Sequence, residues 1–378
     1  MIHRIQSKAA VMRLFAGLVL LVAAVSAHAQ RTCSFGSGSG WTSTQTRTES
    51  INTSLGTVGR DYPIGFAMPG PSFAYNNFLV TCNGANGVPA NVSFEVTSSQ
   101  GLMSPQPTMF DPSAQGKLYN TGVPNLGVYV WIGSYSGGGS VTGLAAPGTT
   151  QYNFPNGSNS ISWPLSIHYN FVRTGALATG TPITISGASL PKIKFSIGGL
   201  TLLNLGLTGS QQILPFTCTA SAAAVNLGDW SASTFTGVNT GSPWRNAEIT
   251  LKNCPALPGQ QQITLNIAPS GTSTTNGPLT NAISYRLTPT AAQIAQPGIL
   301  NLSAPTQGNN AARGVGIEIR ERNAAAPIAF NSGISAFSGT TSSVSNLSIP
   351  LMARYTQISS PVVPGQANGS VEFLISYQ

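Results

Sequence analysis

The feature that most restricts this chain is the shortness of its apolar runs. Stretches rich in Val, Ile, Phe, Tyr and Thr recur throughout, and each is soon cut off by a cluster of Gly, Pro, Asn or Ser. Clear runs are Phe78-Leu-Val-Thr-Cys82, Val128-Tyr-Val-Trp131, Ile167-His-Tyr-Asn-Phe-Val172, Ile263-Thr-Leu-Asn-Ile267 and Val315-Gly-Ile-Glu-Ile319. Met68-Pro-Gly-Pro71 and Ser136-Gly-Gly-Gly139 are typical breaks. No segment sustains a helical period, so the pattern predicts an all-β chain built as sandwiches or a barrel. The punctuation is dense: 42 Gly and 26 Pro in 378 residues. That lies above average usage but below the level of a low-complexity chain. With 41% hydrophobic residues there is enough apolar material for a core. The length suits two domains or one large all-β domain, and no repeat of intermediate period is visible.

Charge is scarce. Only 7% of residues are Asp, Glu, Lys or Arg, where soluble domains carry about 25%. Little is left for acid–base catalysis. The first 29 residues read as a secretory signal, with Arg4, Lys8 and Arg13 ahead of the apolar Leu14–Val25 and an Ala27-His28-Ala29 cleavage site. That apolar stretch is too short to span a bilayer. A mature chain from Gln30 would keep 14 basic and nine acidic residues, a net of +5, with His168 as its only histidine. The positive charge is spread thinly, with no basic cluster suited to phosphates, which argues against nucleic acid.

Four cysteines, Cys33, Cys82, Cys218 and Cys254, all fall in the mature chain. An even count in an exported protein predicts disulfides, and three pairings are possible. The sequential pairing would put one bridge in each half. No C-x-x-C pair or histidine partner supports zinc, and no calcium loop is present. We therefore expect no metal and no cofactor.

Nor does any motif assemble a catalytic centre. His168 sits mid-strand without a Ser or Cys motif to complete a triad. The acids of the first half are Glu49, Asp61, Glu95 and Asp111, too few to make a flanking carboxylate pair the favoured reading. The expectation is a non-enzyme with no catalytic residues. The rival readings are a secreted carbohydrate-active enzyme using Asp61 and Asp111, and an outer-membrane β-barrel. Ligand contact by an all-β domain calls for aromatic and polar side chains on end loops. Candidates are Trp41, Tyr75 beside Asn76 and Asn77, Tyr119, Tyr135, and Tyr152 with Asn153. Tyr129 and Trp131 lie two apart in one run and are assigned to the core.

The short polar break Gly209-Ser-Gln-Gln212 separates the cysteine pairs, and Ile213-Leu-Pro-Phe-Thr-Cys218 reads as the first strand of a second domain. This predicts domains over 30–213 and 214–378. The chain closes with Gly369-Ser-Val-Glu-Phe-Leu-Ile-Ser-Tyr-Gln378, in which Val371, Phe373, Ile375 and Tyr377 alternate at period two. Ahead of it stand Cys218, Leu227-Gly228, Leu251-Lys-Asn-Cys-Pro255, Gly314-Val-Gly-Ile317, Ile349-Pro-Leu-Met-Ala-Arg-Tyr355 and Gly365.

This ordered set resembles the pilin domain of chaperone–usher fimbriae. The resemblance implies an incomplete immunoglobulin-like sandwich of roughly six strands, lacking its seventh and open along a groove. A periplasmic chaperone would lend the missing strand, and the outer-membrane usher would exchange it for the N-terminal extension of the adjacent pilus subunit. On that reading Gly365, Val371, Phe373, Ile375 and Tyr377 border the chaperone and donor-strand groove, and Tyr377 belongs to chaperone recognition. Only Gln30-Arg-Thr precedes Cys33 in the mature chain, which leaves no free donor arm, and a whole domain stands in its place. That layout resembles the two-domain tip adhesins of type 1-like and type 3-like fimbriae. Arg60-Asp-Tyr-Pro-Ile-Gly65 is similar to an early adhesin strand. Tyr119–Val130 resembles the T-x-V-P-G-hydrophobic-G stretch of adhesin domains, with Asn125 where glycine is usual, and Phe171-Val-Arg-Thr-Gly175 resembles a late strand. The resemblance implies a fimbrial tip adhesin, exported through the periplasm to the cell surface, whose first domain binds a host glycan or matrix protein. The alternative within the family is a structural minor pilin.

Overall fold

The computed structural model describes residues 30–378 except 53–55, 86, 111, 134–146, 155–158, 222–223, 291–295 and 342–344. The expected leader, Tyr135 and Asp111 therefore lie outside the described residues. What is described is strand and turn, with three single-turn 3₁₀ segments and no α-helix.

Two sheets enclose the first core. One runs in the order Gly271–Leu279, Gln260–Ala268, Ser72–Asn83, Ser160–Arg173, Leu126–Gly133 and Tyr119–Asn120. The other runs Gln45–Ser50, Leu200–Thr208, Lys192–Ile197, Ala90–Ser98 and Gly148–Tyr152. Alternate residues of both meet in one apolar cluster: Phe73, Tyr75, Ile167 and Phe171 from the first, Phe94 and Phe195 from the second. Each large side chain so buried contributes about 1.5–3 kcal/mol. Arg31 is also buried, its guanidinium held by the Val88 and Ala85 carbonyls and Asn159 Oδ1 at 2.7–2.9 Å. It fixes the chain where the strand Thr32–Phe35 joins Ser72–Asn83.

The Asn76-Asn77 pair, read as loop, is a bulge inside the long strand Ser72–Asn83. Tyr75 pairs with Leu165 and Phe78 with Trp163, so two asparagines oppose the single Pro164. Asn77 takes φ +63°, a left-handed conformation that asparagine tolerates. The extra residue keeps Tyr75 and Phe78 both on the core side. Proline at a bulge costs no ladder bond. Tyr129 and Trp131 face away from the main core, which takes Val128, Val130 and Ile132 instead. Tyr129 packs in a small satellite cluster with Met109, Leu118 and Val172, and Trp131 flanks it. The period was right and the face was reversed, because both faces of this strand are apolar.

The second core lies in the second half, among a sheet of Thr219–Ala220, Ile249–Cys254 and Ser345–Ile349 and a sheet of Arg245–Asn246, Leu351–Gln357, Val315–Glu321 and Ile299–Leu300. A third sheet orders Ile334–Gly339, Asn281–Pro289 and the terminal strand Val371–Tyr377. Among the described residues twelve strand segments follow Cys218, against roughly six expected. Three are only two residues long, and the hairpin Gln260–Leu279 leaves its own half to join Ser72–Asn83 in parallel. Disulfides join Cys33 to Cys82 and Cys218 to Cys254, one in each half.

The polar break near 209 is the start of a strand. Gly209, at φ +76°, turns Leu200–Thr208 into Ser210–Phe216. That strand pairs antiparallel with Ile183–Ser186 and parallel with Gly56–Gly59. Ile213 packs in the first core and Phe216 in the second. One strand thus crosses the expected boundary at 213/214.

Candidate functional site

The terminal strand Val371–Tyr377 has one paired edge and one open edge. Its partner is Asn281–Pro289, with Tyr377 opposite Ile283 and Val371 opposite Pro289. Gln378 and Ala282 exchange both main-chain bonds at 2.8 Å. Antiparallel ladders alternate, so Ser376, Leu374 and Glu372 also turn their peptide groups towards that partner. Tyr377, Ile375, Phe373 and Val371 turn theirs the other way. Among the described residues no hydrogen bond closes the N–H and C=O groups of Ile375, Phe373 and Val371 on that side. Such an edge is a template for an added strand.

Beside the open edge runs an apolar recess of about 410 Å³. Val371 and Phe373 line it together with Val225, Leu227, Ile317 and Leu351. Residues 224–227 form no strand. The recess therefore has on its lining both the open edge and a stretch that forms no strand. A second recess of about 290 Å³ continues it past Ala367 and Asn368 to Gly365 and Trp230. At Gly365 a Cβ would sit 2.5 Å from the Ala311–Ala312 backbone, so close approach demands glycine there.

Tyr377 differs from the other three alternating residues. Its ring is buried in the second core, edge-on to Phe216, and its hydroxyl donates to the Cys218 carbonyl at 3.3 Å. Its open-edge groups are taken by the first half: the Asp61 amide donates to the Tyr377 carbonyl at 3.0 Å, and the Tyr377 amide donates to Asp61 Oδ2 at 3.2 Å. Arg60 lies 5.2 Å over the Tyr377 ring and donates its amide to Phe216. Arg60–Gly65, expected as a strand, is a turn that makes these contacts. No local pattern announces a pairing between residues 316 apart.

The aromatic candidates for ligand contact do not gather on loops. Tyr75 is fully buried within Ser72–Asn83 and donates to Glu49 at 3.3 Å, and burial pushes its hydroxyl pKa up. Tyr152 is buried against Phe154 and Trp163, and its pKa too is raised by burial. Trp41 is half-buried at the rim of the core beneath the Arg47 guanidinium. Tyr119 is half-buried in a two-residue strand. Among the described candidates the asparagines Asn76, Asn77 and Asn153 are exposed, and none of the aromatic ones is. Polar neighbours marked these tyrosines as loop residues, but alternation with polar residues is equally the pattern of a strand with one wet face. Tyr75 and Tyr152 are core residues. Of the acids, Glu49, Asp61 and Glu95 each pair with a different neighbour: Tyr75, Arg60 and Lys194.

Three arginines of the outer sheet face escaped the sequence reading as a group. Arg320 and Arg354 lie 4.0 and 4.4 Å over Trp244, and Arg245 lies 5.9 Å over Trp230. Arg354 is neutralised by Glu318 at 2.7 Å.

Residues 208–378 match the family model for fimbrial protein. No curated protein matches the chain in sequence. Among solved structures the chain is similar to the CupB6 tip adhesin from Pseudomonas aeruginosa, at 15% identity over 92% of this chain and 94% of that one, TM-score 0.32. It is also similar to the receptor binding domain of the plasmid-born adhesin MrkD1P of Klebsiella pneumoniae, at 13% identity over 50% and 98%, TM-score 0.29. The Proteus mirabilis ambient temperature fimbriae adhesin AtfE matches at 13% identity over 46% and 99%, TM-score 0.30. Likenesses of this size carry no argument about function. The family match is confined to residues 208–378, the part of the chain that carries the second core and the terminal strand.

Proposed function

We propose that this chain is a two-domain tip adhesin of a chaperone–usher fimbria, with a second half that accepts a β-strand from a partner. The observation that carries the reading is the unclosed edge at Val371, Phe373 and Ile375 on the brim of the apolar recess. An extended segment laid there would close three pairs of main-chain groups and drop alternate side chains between Val225 and Phe373. A periplasmic chaperone would supply that strand first, and the adjacent pilus subunit would supply it after exchange at the usher. Arg31 is buried and Thr32–Phe35 is already paired with Ser72–Asn83, so these residues are not free to serve as a donor strand. That fits a place at the tip, with the first half left for a host glycan or matrix protein.

The test is co-expression of the full chain with its chaperone in the periplasm. The wild-type chain is expected to co-purify, and Phe373→Asp or removal of residues 369–378 to lose the complex. A Phe373→Asp chain that still binds would sink the acceptor reading. The receptor half is tested on a glycan and matrix-protein array using the full chain in its chaperone complex. Binding that disappears with a chain altered only in the first half supports an adhesin, and a silent array favours a structural minor pilin.

A further inference from the structure

The open edge does not run the full length of the terminal strand. Four residues, Val371, Phe373, Ile375 and Tyr377, turn main-chain groups to that side, and the fourth is closed by the chain itself. Gly56–Gly59 lies alongside Ile213–Phe216 in parallel pairing and brings Asp61 to the end of the terminal strand. The fit is tight: a Cβ on Gly59 would overlap the Tyr377 carbonyl. The segment is anchored on the other side by Thr57, whose amide donates to Gly259 and whose hydroxyl donates to Asn281 Oδ1, both at 3.1 Å. Thr57 is buried. Arg60 adds a guanidinium over the Tyr377 ring and a bond to Thr217 Oγ1 at 3.3 Å.

We infer that Gly56–Asp61 is a built-in stop for the partner strand. Its place, between the strand leading to Cys218 and the end of the terminal strand, is the place an added strand would take if it continued past Ile375. The partner strand can therefore pair with Val371, Phe373 and Ile375, must end or turn away at Asp61, and extends in the other direction towards Gly365, where the recess continues. The partner this selects is an extended segment with alternating apolar side chains whose one end lies at Ile375. Residues 60 and 61 thereby fix its register, and Tyr377 is an anchor for the first half rather than a contact for the incoming strand. This rests on the acceptor reading above.

The experiment measures peptide binding to the full mature chain. Strand peptides of alternating Val and Thr are used in a length series of about five, seven and nine residues, each residue spanning about 3.3 Å. Calorimetry gives the affinities, and hydrogen exchange reads the amides of the terminal strand. In the wild type, peptides are expected to protect the amides of Phe373 and Ile375. The Tyr377 amide, already slow, should not change, and residues added beyond Ile375 should gain less than about twofold. Asp61→Ala removes the acceptor of the Tyr377 amide, and Asp61→Pro removes the donor to its carbonyl as well. In Asp61→Pro the longer peptides should tighten about tenfold and protect Tyr377. If longer peptides tighten equally on the wild type and protect nothing new in the variant, the stop is refuted while the acceptor site stands. If no peptide binds the folded wild type, the acceptor site itself fails and the stop with it. Should Asp61→Pro not fold, an accelerated Tyr377 amide on peptide binding to the wild type would overturn the inference, and an unchanged one would uphold it.

Discussion

At the scale of single residues, the positions that matter are those where backbone geometry or burial admits few alternatives. Asn125 stands where the adhesin pattern that the segment resembles has glycine, and it takes φ +61° at the turn into Leu126–Gly133. Asparagine is the usual substitute for glycine in that conformation. The departure from the pattern is thus conformationally silent. His168 is the other telling residue. Its ring stacks on Trp131 at 4.1 Å, its Nδ1 lies 2.8 Å from Ser72 Oγ, and its Nε2 lies 3.2 Å from Ser166 Oγ. No carboxylate faces it in these contacts, and burial pushes its pKa down to about 4 from 6.5. The unfolded chain therefore takes up a proton between those values that the folded chain refuses, so stability falls as pH drops from about 6.5 towards 4. The loss is up to about 3 kcal/mol. Chemical denaturation across that window should show this slope, and His168→Gln should flatten it.

Elements were legible where alternation was unambiguous. The terminal strand was visible in its last ten residues because Val371, Phe373, Ile375 and Tyr377 are spaced by two and nothing interrupts them. The bulge at Asn76-Asn77 was not, since two adjacent asparagines carry the same signature in a loop and in a kinked strand; only the opposing Pro164 decides. Likewise Leu126–Gly133 is apolar on both faces, so no period says which face meets the main core. The open edge carries its own prediction. In the chain without partner, hydrogen exchange at Phe373 and Ile375 should be faster than at Leu374 and Ser376, whose amides face Asn281–Pro289. Equal protection along the strand would mean that the edge is closed by something else.

At the scale of the molecule, the two halves are joined by more than a linker. Ser210–Phe216 feeds both cores, Gln260–Leu279 extends the first half's sheet, and Asp61 closes the end of the terminal strand. A fragment of residues 30–213 cuts that shared strand and removes two strands from the large sheet. It should melt well below the full chain, although it keeps the Cys33–Cys82 disulfide. Equal melting temperatures by circular dichroism would show the contacts to be unimportant. The sequence by itself settled the all-β class and the alternating strand at the end, because turn punctuation and period two are local properties of a chain; it left three cysteine pairings open, and the structure joins Cys33 to Cys82 and Cys218 to Cys254. Only the tertiary structure decided which tyrosines are buried, which face of a doubly apolar strand turns inward, and that Asp61 meets Tyr377. Those depend on contacts between residues far apart in sequence, where no local pattern constrains the partner and packing alone selects it.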